Sequence, residues 1–269
     1  MRRLNQLLPI FVSLWLFMKP AATGWACGFD PEEYFEAYSF FDPAISASPG
    51  YTPFFFSFRA FYDGEWDTDT FRQRNNAREW QVYFGEKKVT TADVHTLVYE
   101  TDAAVLGELK DWAEGKGSPP DGQWKDNELA KLWKKKRWSV PICYLEFAKR
   151  CEPHASMGDN DWEFPDRNAT EMQALLEEGL QKYEVTRDDF IKMRYGYQVV
   201  RLAHYSNAYQ QTVDLFEELI VPLKDKVESQ MYYWALGHKA GALSQLGQST
   251  EANYLFSRVF EMCPAKRPS

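Results

Sequence analysis

Histidine and cysteine, which carry much of metal and nucleophilic chemistry, are scarce: the 269 residues hold four of each. His95, His154, His204 and His238 are scattered, and Cys151-x-x-His154 is the only metal-like pair, with no second pair at zinc spacing. There is no Gly-x-Ser-x-Gly, no phosphate-binding loop and no His-Glu-x-x-His. Asp63, Glu65, Asp67 and Asp69 alternate like calcium-loop ligands, but the sixth position lacks glycine and Arg74 stands at the twelfth. A solvated turn is expected there, and again at Asp159, Asp161 and Glu163. Carboxylates are plentiful, yet no pair is singled out for glycoside hydrolysis. No catalytic residue, metal or cofactor is therefore assigned, and the chain is not expected to be an enzyme.

Positive charge is also in deficit. Lys and Arg number 31 against 39 Asp and Glu, a formal charge of −8. An acidic surface repels phosphate backbones, which argues against nucleic acid as a partner. The chain also lacks an apolar run long enough to span a membrane, which takes about 20 residues. Its longest, Leu7 to Met18, is interrupted by Pro9 and Ser13. Arg2 and Arg3 precede that run, Lys19 and Pro20 end it, and Gly24-Trp25-Ala26 puts small residues at −3 and −1 of a cleavage site. Residues 1–26 thus read as a secretory signal. Its removal takes away three cations and no acid, so the mature charge is −8 − 3 = −11.

Cys27 directly follows the small residues, which makes it a lipidation candidate. The usual pattern has Leu at −3, where Gly24 stands, so acylation and plain cleavage both stay open. The expected location is the periplasm, outer membrane or cell surface of a bacterium, touching membrane only through a lipid at Cys27. Cys143 and Cys151 lie eight apart on one expected helix, about 12 Å along its axis, too far for a disulfide. A bridge from either to Cys263 stays open, with buried free thiols as the expectation.

What is abundant is aromatic: 16% of residues. Many lie early, in Tyr34, Phe35, Tyr38, Phe40 and Phe41, then Phe54 to Phe56, Phe58, Phe61 and Tyr62. Pro31, Pro43, Pro49, Pro53, Gly50 and Gly64 keep long helices out of 28–75, so an irregular aromatic cap is expected. From Phe71 the period becomes helical: Phe71, Trp80, Tyr83 and Phe84 can share a side. Thr90 offers an N-cap with Asp93 three residues on. Val94, Leu97, Val98, Val105 and Leu109 follow as one helix, stopped by Gly115, Gly117 and Pro119-Pro120. Leu129, Leu132 and Trp133 mark a short basic helix, with Lys131, Lys134, Lys135, Lys136 and Arg137 read as a solvated face. Pro141 begins another helix. The polar stretch Glu152 to Asp166 separates a region 27–165 from a region 166–269.

The second region is clearer. Met172, Leu175, Leu176, Leu180 and Tyr183 make one stripe, and Thr186 is expected to cap the next helix. Four helices then follow, carrying Tyr195, Val199 and Leu202; Tyr209, Val213, Phe216 and Ile220; Tyr232, Leu236, Ala240 and Leu243; and Ala252, Phe256, Val259 and Cys263. Pro222 and Pro264 end the second and fourth.

Tyr209…Phe216…Pro222 recurs, about 40 residues later, as Ser249…Phe256…Pro264. Ala240, Gly247, Ala252, Phe256 and Pro264 resemble the tetratricopeptide repeat: a small residue in helix A, a turn glycine, then Ala, Phe and Pro in helix B. The first copy departs with Val200, Thr212 and Asn207 at the small and turn positions, and the spacing exceeds the usual 34. The resemblance covers only these last helices. The fold class expected is all-α: an irregular aromatic-rich N-terminal segment, then antiparallel helix pairs stacked as a short α-solenoid. Ala26-Cys27-Gly28, Glu79-Trp80, Tyr144 to Lys149 and Tyr233 to Leu236 also resemble a group of exported Bacteroidota proteins. Those relatives are longer, so the resemblance implies an N-terminal fragment of a longer repeat protein; it implies no particular activity.

In stacked pairs the A helices line the concave side. Arg194, Tyr197, Arg201 and His204 recur at i, i+3, i+7 and i+10 and share one helix face. Trp234 and His238 extend it from the third helix. Arg and Tyr are frequent interface anchors, so a protein-interaction scaffold gripping a peptide or protein partner is expected here. The alternative is a glycan-binding or glycan-degrading envelope protein, motivated by the aromatic content; exposed rings beside acids in a pocket would favour it, and buried rings would favour the scaffold.

Overall fold

Helical periodicity becomes helices wherever the computed structural model describes the chain, which is over residues 68–118, 122–155 and 168–263. The signal segment, Cys27, the early aromatic stretch, Asp63, Glu65 and Asp67, and the acids from Asp159 to Glu163 lie outside the described residues. Among the described residues there are ten α-helices and no strand.

Helix α1 (Thr68–Phe84) begins inside the stretch expected to be irregular. It buries Asn76, Ala77, Trp80 and Phe84, a spacing of three and four that fits one helical side. Helix α2 (Thr91–Tyr99) opens with the expected capping box between Thr90 and Asp93. The single helix expected from Val94 to Leu109 is two, because Asp102 interrupts it. The Asp102 carboxylate accepts the Val105 amide at 2.8 Å and starts α3 (Ala103–Glu114). Gly115, at φ 88°, closes α3.

Helix α4 (Glu128–Lys136) is capped by Asn127, whose amide also donates to the Asp93 carbonyl at 2.9 Å, tying the starts of α2 and α4 together. Helix α5 (Ser139–Ala155) accepts Pro141 because the first turn has no use for its missing N–H. It runs four residues into the polar connection expected to open at Glu152. Asn168 caps α6 (Ala169–Val185). Thr186 does not cap the next helix. Its hydroxyl turns back to the Lys182 carbonyl at 2.6 Å, and Asp188 caps α7 (Asp189–Tyr205) instead.

The last helices form two hairpins. Helix α8 (Tyr209–Leu215) passes into a π-turn at Phe216–Ile220 and a 3-10 turn at Val221–Leu223. Pro222, which has no N–H, sits where that widening ends. The Tyr183 hydroxyl donates to the Leu219 carbonyl at 2.7 Å, so the disturbed turn keeps its bonds filled. Helices α9 (Met231–Gln245) and α10 (Ser249–Met262) make the second hairpin.

The two hairpin turns match bond for bond at a shift of 40 residues. Ser206, Asn207, Ala208 and Thr212 donate to the Leu202, His204, Ala203 and Ala208 carbonyls; Leu246, Gly247, Gln248 and Ala252 donate to those of Ala242, Ser244, Leu243 and Gln248. All eight lie at 2.9–3.1 Å. Asn207 and Gly247 are both left-handed, at φ 61° and 79°, so asparagine does the turn glycine's work.

Helix α7 is central, packed on α5, α6, α8 and α9. Two glycines permit the close approach. A Cβ on Gly179 would stand 2.7 Å from Val199 and 2.9 Å from Phe147; one on Gly196 would stand 3.0 Å from Ile220. The core is continuous from Ala77 to Cys263, with no break at the connection between α5 and α6. Cys143, Cys151 and Cys263 are free. Among the described residues no helix is long and apolar enough to cross a membrane.

Candidate functional site

The six residues expected to line one open face meet different fates. Arg194 is 1% exposed. Its guanidinium donates to Asn76 Oδ1 at 2.8 Å and Glu79 Oε2 at 3.2 Å, both on α1, and lies 4.5 Å above the Trp80 ring and 4.1 Å from Phe190. Burial pulls its pKa down and Glu79 opposes that. Glu79 also accepts the Ser229 hydroxyl at 2.6 Å and the Gln230 amide at 2.7 Å. One carboxylate thus joins α1, α7 and the positive N-terminal end of α9. The expectation that Arg194 faces a partner is corrected on this point: α1 covers it, because a guanidinium so placed needs a carboxylate and Glu79 supplies it.

Arg201 is half-buried and engaged. It donates to the Ala155 carbonyl at 2.5 Å, neutralising the C-terminal end of α5. Tyr197 and Trp234 are buried, with ring centroids 5.9 Å apart. His204 and His238 are brought together at 5.1 Å, with Tyr197 and Tyr205 flanking His238. His204 lies on Gly241, where a Cβ would stand 2.9 Å from its Cε1. Tyr197, His204, Trp234 and His238 therefore do form one cluster, while Arg194 and Arg201 hold neighbouring helices in place. The missed partner, Glu79, had a sequence signal: Asn76 and Glu79 are i, i+3 on an otherwise polar helix, beside buried Trp80.

A cleft of about 730 Å³ opens on the far side of Glu79, between α1, the α8–α9 connection and the start of α9. Arg78, Tyr83, Lys224, Asp225, Tyr232 and Tyr233 are among its walls. Tyr83 stacks on Phe190 at 4.3 Å and 8° between planes, and its hydroxyl donates to Asp188 at 2.8 Å. Burial and then that carboxylate push the phenol's pKa up. Lys224 lies 5.2 Å from the Tyr232 centroid. Among the described residues Arg78, Asp225 and Glu228 make no ion pair, and Gln230 Oε1 is buried without a donor. The cleft thus offers ring faces and both signs of charge.

Other candidates are occupied otherwise. His154 points to Glu171 at 3.6 Å, and burial holds the Cys151 thiol up to about 12. Among the described residues no three metal-ligating side chains meet. The basic run of α4 is largely engaged: Lys131 pairs with Glu128, Lys134 donates to the Trp112 carbonyl at 2.6 Å, and Lys136 pairs with Glu86 at 3.0 Å. No protein-family model matches the chain, and neither does any curated protein or solved structure.

Proposed function

We propose that this chain is an exported, non-catalytic interaction scaffold, its C-terminal hairpins stacked in the manner of tetratricopeptide repeats and its partner a protein or peptide. Export rests on residues 1–26, and Cys27 is the proposed anchor where a lipid is attached. The observation that carries the reading is the cleft beside Glu79: a recess built where three helices are tied together, with charged groups and tyrosine rings left unfilled. It replaces the α7 face as the surface for contact, since Arg194 is buried and Arg201 is held on the end of α5. Among the described residues Trp80, Phe84, Trp133, Phe147 and Tyr195 are core rings, which favours a scaffold over a sugar binder.

Capture from envelope extract with residues 28–269, beside an Arg78→Glu, Lys224→Glu variant, tests it. Both side chains are exposed, so the variant folds. A protein held by the wild type and lost by the variant is the expected result; equal retention rejects the cleft. The glycan reading is favoured by one observation, the half-exposed Tyr83, Phe190, Tyr232 and Tyr233 beside Asp225 and Glu228. Retention of the wild type on an immobilised envelope glycan, lost with Tyr233→Ala, would carry that reading instead.

A further inference from the structure

The chain is acidic, at −8, yet two neighbouring turns gather the opposite sign. The turn Glu86–Val89 follows α1. It is closed by the Val89 amide on the Glu86 carbonyl at 3.1 Å and held by Gln81, which donates to the Val89 carbonyl at 2.8 Å. Val89 is buried, and Lys87 and Lys88 at the two central positions are exposed. The second turn ends α4. There Arg137 is left-handed at φ 49°, and the Trp138 amide donates to the Trp133 carbonyl at 3.1 Å. Glu86 joins the two turns by pairing with Lys136 at 3.0 Å. That bond holds the Glu86 carboxyl below its ordinary range, and the Lys135 charge adds to the effect. Lys87, Lys88, Lys135 and Arg137 stand within two residues of this one pair. All four are exposed, and among the described residues none makes an ion pair. Five cations thus share a single acid.

Helix α4 accounts for part of this, since cations suit a C-terminal end and Lys134 is taken up by the Trp112 carbonyl. It does not account for Lys87 and Lys88, which lie outside any helix. Nor does it account for an arginine at a left-handed position that glycine adopts at less cost. Like charges held this close repel, and an anion laid among them relieves the repulsion. The patch also borders the cleft beside Glu79. The Lys136 ammonium lies 5.2 Å from the Trp138 centroid, and Trp138 lies 5.4 Å from Tyr83, a wall of that cleft.

We propose that this basic patch docks an acidic segment of the partner protein, a run of carboxylates laid across the two turns. The proposal rests on the cleft reading only for the partner's being a protein. Continuity with a recess favours a peptide over an anionic membrane, because an extended chain can occupy the cleft and run on past Tyr83 and Trp138, whereas a bilayer face cannot. Complementary charge of this kind fixes register and speeds encounter.

The probe is fluorescein-labelled hexaglutamate, titrated against the full chain by fluorescence anisotropy, with hexaglutamine as its uncharged counterpart. Hexaglutamate should bind, more weakly as salt is raised, and hexaglutamine should not. Lys87→Glu with Lys135→Glu should weaken binding at least about tenfold. Both side chains are exposed and outside any ion pair, so the variant keeps its fold, which near-ultraviolet circular dichroism checks. Arg78→Glu with Lys224→Glu in the cleft should leave binding within about twofold, so this result and the capture test of the cleft can fail separately. Equal hexaglutamate binding by the wild type and the Lys87, Lys135 variant overturns the proposal, whatever the cleft retains. So does absence of hexaglutamate binding. In that case, sedimentation with phosphatidylglycerol vesicles that the Lys87, Lys135 variant loses assigns the patch to a membrane surface instead.

Discussion

At the scale of single residues, Glu79 and two glycines do the most. Glu79 is the sole carboxylate against the buried Arg194 guanidinium among the described residues, and it also takes the Ser229 hydroxyl and the Gln230 amide. Removing it leaves a cation inside the protein with no counter-charge. Glu79→Ala should therefore cost about 3 kcal/mol, the lower end for breaking a buried pair because Glu79 itself is partly exposed. Urea unfolding by circular dichroism measures this, and a loss under about 1 kcal/mol would show the joint to be incidental. Gly179→Ala acts by size instead. Its methyl would enter the space of Val199 and Phe147, so α6 and α7 must part, at about 1–3 kcal/mol. A midpoint equal to wild type would mean that Phe147 swings aside without cost.

At the scale of elements, the sequence carried the helices well and their mutual arrangement poorly. Caps and periods are local, so the Thr90–Asp93 capping box, the Gly115 stop and the turn at Gly247 were all readable. The break at Asp102 was not, because Val98 and Val105 stay in phase across it and only the aspartate's bond to Val105 reveals a new start. The face chosen on α7 failed for a nonlocal reason. Arg194 and Arg201 are polar residues on an apparently solvent-facing stripe, and nothing in α7 reports that α1 and the end of α5 come to meet them. The 40-residue repeat was visible, and it now makes a prediction within one helix pair. Gly247 is left-handed at φ 79°, so Gly247→Ala should destabilise by about 1 kcal/mol. Gly237 sits mid-helix with open space around its Cβ position, so Gly237→Ala should stabilise by about 0.5–1 kcal/mol. Thermal melts of the two variants should move in opposite directions, and a shift of both the same way would contradict the assignment of turn and helix.

At the scale of the whole molecule, the core stores its aromatics with their hydroxyls and thiols in the protonated form. Burial holds Tyr99, Tyr144 and Tyr183 protonated up to about 12, and the Cys151 thiol likewise. In the unfolded chain phenols titrate near 10 and thiols near 8.5. Below about pH 8 both states keep these protons, so the groups leave stability unaffected there. Between about pH 9 and 12 the unfolded chain releases protons that the folded one retains, so it binds fewer of them. Stability must then fall as pH rises, by up to about 1.4 kcal/mol per pH unit for each group that stays protonated. Because one core joins α1 to α10, the loss should appear as a single cooperative transition rather than as separate melting of the two halves. The urea midpoint should stay level from pH 7 to 8 and drop steeply above 9. Cys151→Ala should make the early part of the drop shallower, since its thiol titrates before the phenols when unfolded; Cys143, whose thiol burial also pushes up, keeps a share of it. A midpoint that stays level to pH 11 would mean that these side chains are open to water, and the continuous core joining the helices would have to be redrawn.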